Sequence, residues 1–335
     1  MKNCFFIGNN SEKLAEVYGK EKISQMKALG MNVDTVLTKK FLEDNPDSAR
    51  ECEYLFSTWG MPSFSEDEIR KFFPALKAVF YAAGSVQGFA REFLNCGVKV
   101  FSAWAANAVP VAEYTVSQII LANKGYFGGS RIYKETRNKQ KAHDYITKFP
   151  GNYNISVGII GAGMIGKMVI QRLKDYKINV CVFDPFLPDE KAAELGAVKC
   201  SLSEIFKNCQ TVSNHLANNP QTVGMIDYSV LKLMKKNATL INTGRGAQIV
   251  EEDLIKALKE EPERYAVLDV TDPEPPLEDS ELYTLPNVVL TPHIAGSFGN
   301  EVLRMSEYML DEYESLINGK PNKYEVTLEM LKTMA

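Results

Sequence analysis

Long hydrophobic runs are missing from this sequence. The N-terminal "MKNCFFIGNNSEK" holds only a short apolar stretch before polar residues, too short for the core of a secretory signal. The longest apolar segment, "VPVAEYTVSQIILA" at 109–122, carries Glu113 and stops short of the roughly 20 residues that cross a bilayer. Cysteine is scarce and scattered: the six (Cys4, Cys52, Cys96, Cys181, Cys200, Cys209) form no C-x-x-C pair, so free buried thiols in a reducing compartment are expected, with no metal site. Positive charge is not in excess either. Lys and Arg number 38 against 42 Asp and Glu, a net charge of −4, which offers no field to attract nucleic acid or anionic lipid. The expectation is a cytoplasmic protein without nucleic-acid or membrane partners. Histidine is rare too, with three residues, and tryptophan rarer with two.

What remains is ordinary globular composition, 45% hydrophobic and 24% charged, on 335 residues, enough for two domains. Short apolar runs alternate with amphipathic segments along the whole chain, the signature of parallel sheets built from βαβ units. Strands are expected at "CFFIG", "VDTVLT", "YLFSTW", "KAVFYAA" and "VKVFSA", and again at "NISVGIIG", "NVCVFDP", "AVKCS", "QTVSNHL", "ATLINTG", "YAVLDV" and "NVVLTPH". The fold class is therefore α/β, with two doubly wound sheets. A long helix between them is expected to open at Asn107 as cap and Pro110 in the first turn. The last amphipathic segment, "EVLRMSEYMLDEYESLING", is expected to return to the first domain. The boundaries expected are 1–106 with 305–335 for one domain and 107–304 for the other. The basic stretch "GGSRIYKETRNKQKAHDYITKFPGNYN" shows no clear period and reads as a solvated arm or a surface covered by another subunit.

One motif carries chemistry. In "VGIIGAGMIG", Gly161, Gly163 and Gly166 stand in G-x-G-x-x-G spacing between a strand and a helix. The first glycine makes the turn, the second lets a diphosphate approach the backbone, and the third lets helix and strand pack. The anion would sit on helix N-terminal N–H groups such as those of Met164 and Ile165. The next strand ends in Asp184, placed to accept from adenosine ribose hydroxyls, and "PFLPDE" after it holds no cation for a 2′-phosphate. NAD rather than NADP is expected.

Three further strand ends supply reactive groups. Arg245 lies between glycines in "ATLINTGRG", Asp269 and Glu274 in "YAVLDVTDPEPP", and His293 in "NVVLTPHIAGS". A guanidinium there can grip a carboxylate in a bidentate pair, and an imidazole can exchange a proton with a reacting oxygen. His143 reads as a surface residue. His215, ending "QTVSNHL", is as readily structural as cofactor-lining.

With "NAVPVAE", "HLANNPQTVGMID", "MKKNATLINTGRG" and "NVVLTPHIAG" added, the chain resembles the D-2-hydroxyacid dehydrogenase family of NAD-dependent enzymes, including glycerate and phosphoglycerate dehydrogenases, over nearly its whole length. The resemblance implies a Rossmann NAD-binding domain and a flavodoxin-like substrate domain. It implies that Arg245 binds a substrate carboxylate, that His293 is the acid/base, and that Glu274 hydrogen-bonds His293 and favours its protonated form. Asp269 would contact the nicotinamide carboxamide, with His215, Thr243 and Gly296 also lining the cofactor. The N–H groups of Ser85 and Val86 would complete the carboxylate site. The activity implied is interconversion of a small 2-oxo acid and the (R)-2-hydroxy acid by a homodimer. The chain departs from the family pattern at Gln87, Trp104, Ala217 and Thr271, and Trp59 lies in another loop near where substrate should enter. The alternative is an NAD(H)-sensing regulatory or corepressor-like protein on the same scaffold, which would keep the same triad.

Overall fold

A computed structural model describes residues 3–332. The first two and last three residues of the expected first domain lie outside them. The chain forms two compact units, 1–108 with 297–335, and 109–296. The second crossing thus falls at 296/297, ahead of the expected 304/305. The physical reason is that the helix Val302–Ile317 buries its Val302, Met305, Met309, Leu310 and Tyr313 face in the core of the first unit, so the whole element belongs there.

The strands of the first unit are β1 (Cys4–Ile7), β2 (Asn32–Leu37), β3 (Tyr54–Ser57), β4 (Ala78–Tyr81) and β5 (Lys99–Ser102). Those of the second are β6 (Ile155–Ile160), β7 (Ile178–Phe183), β8 (Ala197–Lys199), β9 (Thr211–Asn214), β10 (Thr239–Asn242), β11 (Tyr265–Leu268) and β12 (Val288–Leu290). The chain then adds β13 (Glu325–Val326) to the first sheet. The first sheet has the order β13-β5-β4-β3-β1-β2, parallel except for β13, which pairs antiparallel with β5. Without β13 this is the flavodoxin-like order 2-1-3-4-5. The second sheet runs β12-β11-β10-β9-β6-β7-β8, which is the Rossmann order with one extra edge strand.

Central strands such as "YLFS", "AVFY", "TLIN" and "YAVL" are buried at every position because helices cover both faces of each sheet. In the first unit Phe56, Phe80 and Phe101 lie side by side on neighbouring strands, with centroids 5.0 and 4.9 Å apart. Such cross-strand aromatic contact pins the register of β3, β4 and β5.

Two local expectations are corrected. The long helix runs Trp104–Ala122, so Asn107 and Pro110 lie inside it rather than at its start. Asn107 is engaged elsewhere: its Oδ1 accepts the Ser297 N–H at 2.9 Å. The basic stretch after that helix, in which the sequence shows no clear period, is helical. It forms two packed helices, Tyr126–Thr136 and Lys139–Ile146. Gly128 and Gly129 allow that packing, since a Cβ on either would lie 2.4 Å from Tyr145 or Ile146. Among the described residues no helix is long and apolar enough to cross a membrane, and Cys52, Cys96, Cys181, Cys200 and Cys209 form no disulfide.

Candidate active site

The turn after β6 is shaped by its glycines. Gly161 adopts φ +90°, and a Cβ there would lie 2.9 Å from the His215 carbonyl; at Gly166 a Cβ would come within 2.0 Å of the Gly161 oxygen. Both positions exclude a side chain. Gly163 differs: nothing lies within 4 Å of where its Cβ would be, so a ligand can approach its backbone. Gly163 caps the helix Met164–Leu173, whose first-turn N–H groups have no carbonyl in the helix to receive them. The half-buried Asp184 follows β7; its Oδ2 accepts the Ala162 N–H at 2.8 Å and its Oδ1 the Phe186 N–H at 2.9 Å. Each oxygen keeps a lone pair for a further donor. This combination fits a dinucleotide: a bare backbone for the diphosphate and a fixed carboxylate for the ribose.

Arg245 follows β10 and is half-buried. Its Nη1 donates to the Gly244 carbonyl at 2.8 Å, and no carboxylate among the described residues lies within ion-pair distance. Burial pulls the guanidinium below its ordinary value, and the field of Glu274 opposes that. The rest of its fork is open to an anion. Gly246 is closely covered, since a Cβ there would meet the Thr271 carbonyl carbon at 1.9 Å.

His293 lies beyond β12 with φ +56°, a left-handed conformation that non-glycine residues adopt at a cost of about 1–3 kcal/mol. Asp269 holds the loop there. Its Oδ1 accepts from Thr291 Oγ1 at 2.6 Å and from the Ile294 N–H at 2.8 Å, and its Oδ2 accepts the Ala295 N–H at 2.9 Å. Asp269, expected to meet the nicotinamide carboxamide, is buried, and its Oδ2, with one bond among the described residues, keeps a lone pair for a further donor. Tyr114 joins this group through its hydroxyl, 3.1 Å from Thr291 Oγ1. The His293 Nδ1 is 2.7 Å from Glu274 Oε1, and both side chains are nearly half exposed. The ring's other nitrogen is left free of bonds within the described residues.

His215 has the opposite surroundings. Its Nε2 is 3.0 Å from Ser213 Oγ and its Nδ1 3.3 Å from Thr243 Oγ1, which in turn is 3.2 Å from Thr115 Oγ1. Burial pushes its pKa down to about 3, so the ring is neutral. Gly296 is the last residue of the second unit.

In the first unit the loop after β4 is braced from below. Thr58 Oγ1 donates to the Ala82 carbonyl at 2.8 Å, and Ser102 Oγ donates to those of Ala83 and Gly84 at 2.9 and 2.6 Å. Ser85 is exposed and Val86 buried, and their N–H groups bond no acceptor among the described residues. Gln87 Nε2 donates to the Leu331 carbonyl at 2.8 Å, and Trp104 meets Tyr324 edge-on at 5.5 Å. Trp59 lies under the Lys13 ammonium, 5.4 Å from its ring centre.

The sequence reading missed three buried amides behind Arg245: Asn214, Asn242 and Gln248. A signal existed, because Asn214 and Asn242 are polar residues at the ends of fully buried strands and pair directly in register.

Residues 125–295 match the family described as D-isomer specific 2-hydroxyacid dehydrogenase, NAD binding domain. D-3-phosphoglycerate dehydrogenase of Methanocaldococcus jannaschii is 31% identical over 227 residues, 67% of this chain but 42% of that protein. The chain thus spans less than half the length of that relative. Glyoxylate reductase of Korarchaeum cryptofilum is 28% identical over 287 residues, 85% of this chain and 86% of that one. The crystal structure of apo D-mandelate dehydrogenase of Rhodotorula graminis shares the fold, with a TM-score of 0.80 over 98% of each chain at 20% identity. The chain belongs to the D-isomer specific 2-hydroxyacid dehydrogenase family, whose NAD-binding domain forms its second unit.

Proposed function

We propose that this protein is an NAD-dependent oxidoreductase that interconverts a small 2-oxo acid and the corresponding (R)-2-hydroxy acid. The observation that carries the reading is the pairing, at successive strand ends of one sheet, of an open guanidinium, Arg245, with an accessible imidazole–carboxylate pair, His293 and Glu274. When bound, NAD(H) would supply the hydride chemistry at the substrate carbonyl carbon. His293 gives a proton from Nε2 to the developing alkoxide in reduction and takes one from the hydroxyl in oxidation. Glu274, on Nδ1, orients the ring for that exchange. Arg245 takes the substrate carboxylate in a bidentate grip and polarises the carbonyl beside it. In the same reading the first unit is the substrate domain, whose Ser85 and Val86 N–H groups are carboxylate donors.

Gly161, Gly163, Met164, Ile165 and Gly166 would hold the diphosphate, and Asp184 would select NAD over NADP by repelling a 2′-phosphate. Thr243, His215 and Gly296 would line the nicotinamide side, and Asp269, which fixes the His293 loop, would accept from the carboxamide. A cytoplasmic homodimer is the assembly we infer from the family resemblance. The test is NADH oxidation with a panel of glyoxylate, pyruvate, hydroxypyruvate and phosphorylated 2-oxo acids. Turnover of any member supports the reading; tight NADH binding without turnover of any supports a sensor instead.

A further inference from the structure

We propose that Asn214, Gln248 and Asn242 form a buried amide lattice that positions Arg245, making Gln248 and Asn214 positioning residues for substrate carboxylate binding; this rests on the role of Arg245 proposed above. All three side chains are fully buried. Asn214 Nδ2 donates to Asn242 Oδ1 at 2.9 Å and to Gln248 Oε1 at 2.5 Å. Gln248 Oε1 also accepts the Arg245 N–H at 3.2 Å, and Asn242 Nδ2 donates to the Arg245 carbonyl at 3.0 Å. Both backbone polar groups of Arg245 therefore end on the lattice.

The remaining bonds fix which way each amide points. Asn242 Oδ1 accepts the Gly244 N–H at 3.1 Å, and Asn214 Oδ1 accepts the Leu216 N–H at 3.3 Å. Gln248 Nε2 donates to the carbonyls of Leu216 and Ala217 at 2.8 and 3.0 Å. Backbone N–H groups only donate and carbonyls only accept, so none of the three amides can flip without breaking bonds. Gly244 makes the room: a Cβ there would lie 2.9 Å from Gln248 Oε1 and 3.0 Å from Asn214 Nδ2.

A satisfied buried network of this kind specifies one geometry, whereas a half-emptied one leaves donors unpaired. The lattice joins the ends of β9 and β10 and leaves the guanidinium as the part of Arg245 free to meet a ligand. Binding a carboxylate then requires little further ordering of the loop.

The test uses oxamate, a stable mimic of a 2-oxo acid, titrated into the NADH complex of the full chain. Gln248→Leu is expected to weaken oxamate at least tenfold while NADH affinity changes less than threefold. In an Arg245→Lys background the same substitution is expected to change oxamate affinity less than twofold, because the lattice acts through Arg245. Should Gln248→Leu fail to fold, Asn214→Leu is read by the same two titrations. Equal losses of NADH and oxamate, or an undiminished oxamate loss in the Arg245→Lys background, would overturn the proposal. Wild-type protein that binds NADH but no oxamate would overturn the proposed function and this inference together. Oxamate binding left unchanged by both variants would overturn the inference alone.

Discussion

His215 and His293 each stand just past a strand of the second sheet, His215 after β9 and His293 after β12, and they differ in nearly everything else. His215 is enclosed, its two nitrogens facing the hydroxyls of Ser213 and Thr243, and burial keeps it neutral. His293 is open to solvent on one side, tied to a carboxylate on the other, and held in a left-handed backbone by the loop that Asp269 anchors. A ring whose nitrogens are both occupied cannot exchange protons with a ligand, while a ring with one free nitrogen and an acidic partner can. Position at the sheet edge therefore does not assign a role; the partners of the two nitrogens do.

The comparison is broken most sharply by removing each ring. His293→Ala is expected to lower kcat for 2-oxo-acid reduction by roughly two to four orders of magnitude, the usual scale for loss of a general acid. His215→Ala is expected to lower kcat less than tenfold in the same steady-state assay. The reverse ranking would exchange the two roles.

Arg245→Lys is expected to raise KM for the 2-oxo acid by about tenfold or more with little change in NADH affinity, because an ammonium cannot reproduce the two-pronged contact. Comparable losses for both ligands in titration would make Arg245 a cofactor residue.

The buried histidine also has a signature in stability. Its folded pKa, about 3, lies below the ordinary 6.5, so the unfolded chain binds the extra proton between those values. Stability is unaffected above about pH 6.5 and falls as the pH drops, by up to about 1.4 kcal/mol per pH unit from this residue. Urea unfolding of His215→Gln between pH 7 and pH 4.5 is expected to show a shallower acid decline than wild type. Identical slopes would mean that His215 is solvated.

NADPH is expected to bind at least tenfold more weakly than NADH, and Asp184→Ala to narrow that gap, as read by fluorescence titration. The smallest effect belongs to the exposed pair. Glu274→Gln keeps the shape of the partner but removes its charge, and is expected to lower kcat for 2-oxo-acid reduction by less than about tenfold with NADH affinity unchanged. A loss as large as that of His293→Ala would make the Glu274 charge essential to the proton exchange.

Much of this was legible in the sequence for identifiable reasons. The buried parallel strands read as continuous apolar runs, and the glycine spacing after β6 named a turn that the built contacts at Gly161 and Gly166 explain. Features that depend on tertiary contact were not legible. The helix pair 126–146 was hidden because Gly128 and Gly129 weaken a helix locally and are needed only for close approach to Tyr145 and Ile146. β13 has two residues and no pattern of its own. The start of the long helix was misread because Asn107 and Pro110 carry a strong local starting signal. Asp269 could be placed at a strand end, but its commitment to the Ile294 and Ala295 N–H groups follows from how the His293 loop folds back.

The central claim is that this sheet edge reduces a 2-oxo acid to one hand of product. Reduction of pyruvate or hydroxypyruvate with NADH deuterated at nicotinamide C4 on the transferred side, followed by chiral analysis, tests it most directly. The account predicts the (R)-2-hydroxy acid carrying deuterium at C2, formed by wild type and His215→Ala but not measurably by His293→Ala over the same time. The (S)-acid, an unlabelled product, or full activity in His293→Ala would contradict it.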